Sequence, residues 1–375
     1  MELLKPVKSF LLQYRVLLVL YILITLFSFY QLLIFEHNNN FTIFRQSVFH
    51  FLDEKPLYIA YPKEYFDLFY YNPVFPVLFM PFAMLPFKAG MLAWIIVTAI
   101  GSFYIFKYMP LSDKQNQFFL LLIMFDIMNN LTHTQTNPFL LSFMVFSWVM
   151  LEKDRPFAAA LFMTLSFLIK GYGGIIGLLC FYYKSWYKVI LYGIFWLVVI
   201  NALMLLFVPV DVAIQYYKDW LEIISGDTII ESYSVYGLMK NLNLNIPETY
   251  ILVAAMMVLL PYMVIHFLSG GKREHILAFL LIWVIVFNRA SEPATYIIAM
   301  GGVILWHITH ESSRLSSILF WSTICIATLI PKDVMPLFDD LRYNYYLKTV
   351  FCILVMLDMF IHASIQLKQK QKAIG

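Results

Sequence analysis

Glu36, Asp53, Glu54, Glu64 and Asp67 crowd one short stretch of the sequence, together with Arg45 and Lys63. The stretch reads EHNNNFTIFRQSVFHFLDEKPLY at 36–58 and YPKEYFDLFYYNP at 61–73, and it follows an apolar segment of membrane-spanning length. A carboxylate can take the proton of an attacking hydroxyl, and a cation can stabilise a departing phosphate. The stretch offers both kinds of group. Asp53, Glu54 and Lys55 read as a solvated turn. Asp67, set between aromatics in FDLFYYNP, reads either as structural or as a functional carboxylate, and Glu36 reads either as an interfacial helix-end carboxylate or as a functional one. Arg45 reads equally as a snorkelling side chain or as a phosphate ligand. Asn38, Asn39 and Asn40 read as a turn or a cap for a helix starting near Phe41.

Three further polar islands interrupt apolar sequence. NNLTHTQTNPF at 129–139 holds His133, Gln135 and Asn137, which suit sugar hydroxyls or a helix start at Pro138. LIKGYGG at 168–174 sets Lys170 inside an apolar run, followed by Gly171, Gly173 and Gly174. A cation there is costly unless it meets protein, water or a charged ligand, and the glycines would permit close approach of a phosphate. FNRASEPATY at 287–296 places Arg289 and Glu292 on a tight turn, either as a salt bridge or as a second cation and carboxylate pair. ESYSVYGLMKNL at 231–242 adds Ser234 and Tyr236. His133 has no His or Cys companion at ligand spacing, so neither metal nor cofactor is expected.

These groups need a scaffold, and composition names its solvent. The chain of 375 residues is 61% hydrophobic and only 13% charged, with 35 Phe and 25 Tyr. A soluble domain carries about 25% charged residues and could not bury so much apolar surface in one core. The net charge of +3 and the lack of a basic, aromatic-laced patch exclude nucleic acid as a partner. Cys180, Cys325 and Cys352 all lie in apolar runs and form no CxxC pair.

The expected fold is therefore an all-α polytopic membrane protein with about ten full spans. The candidate segments are 11–35, 88–108, 116–131, 137–151, 187–208, 250–268, 275–288, 293–309, 315–330 and 347–366. The first exceeds the apolar core of a signal peptide and is read as a retained span. Residues 156–183 read as two half-helices meeting at Lys170. The four prolines of 73–87 argue for short helices dipping into one leaflet rather than a span. Residues 1–375 are read as one transmembrane domain, with 36–87 and 209–249 as its two large outer loops. IQYYKDWLEII at 214–224 suits a helix lying in the interface. Lysines and arginines, from Lys5 and Lys8 through Lys184 and Lys272 to Lys372, fall on one set of helix ends. That set should be cytoplasmic, with both termini inside and the acidic loops outside.

The order of these motifs resembles the polyprenyl-phosphate-dependent mannosyltransferases of bacterial inner membranes, glycosyltransferase family 87 of the GT-C superfamily. The resemblance runs from about residue 38 to 300, through NNFTIFRQSVFHFLDEKPLY, FYYNPVFPVLFMPFAMLP, THTQTNPFLL and LIKGYGG. It implies a GT-C-like bundle and a hexosyltransferase at the outer membrane face, with no cofactor. It further implies a polyprenyl-phosphate sugar as donor and a lipid or glycan acceptor, the chain acting as a monomer in the bilayer. It implies phosphate contacts from Arg45, Lys170 or Arg289, a base among Asp67, Glu36 and Glu292, and sugar contacts from Asn40, Tyr70, His133, Gln135, Asn137 and Tyr236. One position departs from the family: where members carry the expected catalytic Asp, this chain has Asn40. A lipid transporter or flippase, or a noncatalytic scaffold of envelope assembly, are the competing classes.

Overall fold

A computed structural model describes residues 12–36, 38–226, 232–311, 313–329 and 341–374. Lys5, Lys8 and Glu231, and most of the loop expected at 331–346, lie outside the described residues. Among those described the chain is all-α, with no strand. It divides into two compact units, one formed by Met1–Cys180 with Ser185–Thr228, the other by Phe181–Lys184 with Ile229–Gly375.

The first unit contains α1 (Tyr14–Phe35), α2 (Asn39–Leu52), α3 (Phe75–Ala83), α4 (Phe87–Lys107), α5 (Asp113–Leu131), α6 (Asn137–Glu152), α7 (Pro156–Ile169), α8 (Trp186–Ala202) and α9 (Val210–Ser225). A 3-10 helix, Gly171–Tyr182, follows α7, and a 3-10 turn, Leu203–Leu206, extends α8. The second unit contains α10 (Val235–Asn241), α11 (Glu248–Ser269), α12 (Arg273–Val286), α13 (Tyr296–Thr309), α14 (Arg314–Ile324) and α15 (Leu347–Ile374).

Every apolar segment anticipated as a span is helical, but the ten-span count is not reproduced. Among the described residues five helices are long and apolar enough to cross a membrane: Tyr14–Phe35, Phe87–Lys107, Trp186–Leu206, Glu248–Ser269 and Leu347–Ala373. Their apolar residues face outward in quantity, for example Leu191, Val198, Met257 and Val264. Such faces are stable against lipid tails, not water. The protein is thus a multi-pass membrane protein. The remaining apolar helices are shorter. α12 is apolar on all sides and every side chain from His275 to Val286 is buried, as befits a helix inside a bundle. Gly302 on α13 lets it lie close to α12, since a Cβ there would stand 2.5 Å from the Ala278 carbonyl oxygen.

The proline-rich run at 73–87 forms only the nine-residue α3, far short of a span. Phe41 and Phe44 of α2 interlock with Phe75 and Phe79 of α3 and with Trp94 of α4, mostly edge to face. Each such pair contributes about 0.5–1.5 kcal/mol beyond burial. Because Phe41, Phe44, Val48 and Phe51 recur at helical spacing, α2 lays its apolar face on this cluster. Helix α2 is thereby fixed to α3 and α4.

The break after α7 has its own steric requirement. A Cβ at Gly173 would lie 2.4 Å from the Ser166 carbonyl oxygen and 2.8 Å from Leu140 Cδ1. Gly173 therefore serves the chain's own packing, not the approach of a ligand. Gly171 has open space around it. Gly173→Ala should lower stability by about 1–3 kcal/mol, the usual cost of overpacking, while Gly171→Ala should leave it nearly unchanged. Thermal unfolding of the two variants in detergent micelles checks this, and equal melting points would contradict the packing.

Candidate functional site

In the first unit Asn40, His133, Gln135, Asn137 and Lys170 meet at one polar turn, 132–136, between α5 and α6. Thr134 in this turn has φ +50. Its carbonyl accepts from Trp94 Nε1 at 3.1 Å. Asn40 Nδ2 donates to the His133 carbonyl at 2.8 Å, and the hydroxyls of Tyr71 and Thr136 meet at 3.1 Å. Gln135 anchors the turn through its backbone N–H on the Asn130 carbonyl, and its side chain is half-buried.

Lys170 reaches this turn from the helix break. α7 ends at Ile169 because Lys170 is extended, with φ −142 and ψ 119. Its Nζ donates to Asn137 Oδ1 at 2.9 Å and lies 5.9 Å from the Tyr71 ring centroid and 6.0 Å from that of Tyr172. Cation–π attraction of this kind contributes about 0.5–2 kcal/mol. Asn137, the first residue of α6, is fully buried. Its Nδ2 donates to Asn130 Oδ1 at 3.1 Å, and Asn130 Nδ2 donates to the Asp126 carbonyl at 2.9 Å.

The carboxylates are more dispersed. Glu36 is exposed at the end of α1, with φ 53. Asp67 is exposed, has φ 88, and its Oδ1 accepts from the Leu68 N–H at 2.8 Å. Asn39 pins the adjoining residue, its amide bonding both the N–H and the carbonyl of Phe66. Burial raises the Tyr70 phenol, and the charge of Asp67 adds to the rise, so these two side chains sense one another. Arg45 is half-buried over Phe49, at 4.8 Å, and Phe87, at 5.9 Å, with no hydrogen-bond partner for its Nε.

Helix α9 ties down the loop between α2 and α3. Tyr216 donates to the Lys55 carbonyl at 3.1 Å, Tyr217 to Asn72 Oδ1 at 3.1 Å, and Trp220 Nε1 to the Tyr70 carbonyl at 3.2 Å. Tyr217 also donates to Asn201.

In the second unit Arg289 Nε stands 3.4 Å from Glu248 Oε2, at the start of α11. The Tyr236 phenol lies in the same neighbourhood. Burial raises it, as does Glu248, and Arg289 opposes. Glu292 caps a short turn, its N–H on Thr295 Oγ1 at 3.2 Å.

Asn130, Tyr71 and Thr136 escaped the sequence reading. A usable signal existed for Asn130, because Asp126 and Asn130 are polar residues one turn apart inside an apolar helix. Tyr71 had none beyond its neighbour Tyr70.

An all-α, multi-pass membrane protein with a cation held at a broken helix beside a polar turn defines the class. The family model of Glycosyltransferase family 87 matches residues 69–299, more than half of the chain. The protein belongs to this family, and its role is that of a glycosyltransferase-type enzyme. The match includes the polar turn, Lys170, Tyr236, Arg289 and Glu292, and begins after Glu36, Asn40, Arg45 and Asp67. No curated protein and no solved structure matches the chain.

His50 contributes a pH dependence to the outer segment. Its Nε2 lies 2.9 Å from Glu64 Oε2 and its ring lies 3.9 Å from that of Tyr61. Burial lowers its pKa below the usual 6.5, and the charge of Glu64 only partly opposes this. The folded form therefore keeps the ring neutral while the unfolded chain protonates first. Its contribution to stability is complete above pH 6.5 and declines as pH falls below that value. Melting points measured from pH 8 to 5 should drop less steeply for His50→Gln than for the native protein; parallel curves would rule this out.

Proposed function

We propose that the protein moves a hexose, mannose on the family resemblance, from a polyprenyl-phosphate sugar to a lipid or glycan acceptor. The reaction takes place on the extracytoplasmic face of a bacterial inner membrane. In this reading the ten apolar segments all act as spans, both termini are cytoplasmic, and the chain works as a monomer reached laterally by its lipid donor.

The observation that carries the proposal is the Lys170 ammonium, held at a helix break beside the turn at 132–136. Lys170, with Arg45, meets the donor phosphate. Gln135, His133 and Tyr70 address sugar hydroxyls. Asp67 removes the acceptor proton, with Glu36 as the rival base. Arg289, Glu292 and Tyr236 form the second candidate set, in which Glu248 already engages the cation.

The transfer balances simply. The acceptor oxygen bonds to the anomeric carbon as the bond from that carbon to the phosphate oxygen breaks. The phosphate leaves with the electron pair, and the proton passes to the carboxylate. Configuration inverts because the nucleophile arrives opposite the leaving group. The leaving charge falls on the cations, which is where electrostatic stabilisation acts most strongly.

Purified protein in nanodiscs, given a radiolabelled polyprenyl-phosphate hexose and membrane lipid extract, should release polyprenyl phosphate and label the acceptor. Lys170→Ala should reduce turnover about a hundredfold, and Asp67→Asn by a similar factor. Full turnover in Lys170→Ala would discard the phosphate assignment. Full turnover in Asp67→Asn would remove Asp67 as the base.

A further inference from the structure

We infer that Asn130 is a positioning residue for Lys170, acting through Asn137. This deepens the reading of Lys170 as a phosphate ligand and rests on that reading for its functional consequence. The argument is one of hydrogen-bond polarity. An ammonium only donates, so the Asn137 atom facing it at 2.9 Å must be the amide oxygen. The Asn137 amide nitrogen then needs an acceptor, and Asn130 Oδ1 supplies one at 3.1 Å. The Asn130 nitrogen in turn donates to the Asp126 carbonyl, one helical turn away, at 2.9 Å. The three bonds run in one direction, from cation to helix backbone.

Each link excludes the flipped arrangement of the next. If Asn137 rotated by half a turn, its NH2 group would confront the ammonium and its oxygen would confront the oxygen of Asn130. Both amides are buried, with Asn137 fully and Asn130 almost fully shielded, so water cannot compensate. Asn137 is therefore committed to holding Lys170 and is not a contact for sugar hydroxyls. An amide acceptor satisfies one N–H of the ammonium without cancelling its charge. The rigid break, set by Gly173 against Ser166, fixes the other end of the lysine.

The test uses full-length protein in detergent micelles. Trace acetylation of Lys170 by acetic anhydride, quantified by mass spectrometry across pH, reports the state of the amine. Binding of undecaprenyl phosphate reports the anion site. In Asn130→Leu the amine should acetylate several-fold faster, and undecaprenyl phosphate should bind about tenfold more weakly, the usual cost of a lost charged hydrogen bond. Asn130→Gln keeps both an amide acceptor for Asn137 and an amide donor for the Asp126 carbonyl, and should hold both readouts closer to native than Asn130→Leu does. If the leucine variant does not fold, Asn130→Ser, too short to reach Asn137, is read in its place. Native labelling rates in a folded Asn130→Leu or Asn130→Ser protein would overturn the inference. Altered labelling together with native protein that binds no undecaprenyl phosphate would uphold the positioning role and instead remove the lipid-phosphate reading of Lys170.

Discussion

An ammonium inside an apolar helical segment has to be satisfied by protein, and that constraint organises the first unit. Placing a lysine within an apolar segment is costly unless protein, water or a charged ligand meets it. An amide acceptor and two aromatic faces offset part of that cost here. The break in α7 is the other half of the solution. An unbroken helix would carry the Lys170 backbone along its axis, whereas the extended geometry turns the residue toward the start of α6. The freed carbonyl of Lys170 is taken up at once by the Gly173 N–H at 2.7 Å, so little backbone hydrogen bonding is sacrificed.

The polar turn opposite the break is held from several sides. α2 contributes Asn40, α4 contributes Trp94, and the loop between α2 and α3 contributes Tyr71. That loop is in turn fastened by three side chains of α9, of which Tyr216 and Trp220 are one helical turn apart. A loop that carries polar groups thus has its backbone carbonyls occupied by Tyr and Trp donors. This is how an irregular segment can keep a defined geometry on a regular scaffold.

Hydropathy made the helices legible, and every anticipated apolar segment is one. It could not separate a lipid-facing span from a helix buried by its neighbours, because both are apolar. α12 is the clear instance: apolar on all sides, short, and enclosed. Lys170 and Asn137 could be found because polar groups in apolar runs stand out. Asn130 was harder to find, since its importance depends on an amide pointing at another amide across two helices. At Arg289 the nearest carboxylate in sequence is Glu292, whereas the fold also brings up Glu248, far upstream on another helix, to 3.4 Å from Nε. Gly173 looked like room for a ligand when read with Lys170, and is instead required by the neighbouring carbonyl.

Asn40 shows how a substitution at an expected catalytic position can be read chemically. Its side chain donates to the His133 carbonyl. An ionised Asp has no proton to donate and would set its charge against that oxygen, so the amide and the bond belong together. In this chain the position ties α2 to the polar turn. A transfer reaction that needs a carboxylate base must then draw it from another residue. In the proposed reaction Asp67 is preferred over Glu36 as that base on grounds of placement. It adjoins Phe66, whose backbone Asn39 grips at both N–H and carbonyl, and its charge reaches Tyr70, whose carbonyl α9 holds. A base on so fastened a segment would keep its position relative to the polar turn, which Glu36, exposed at a helix end, would do less well.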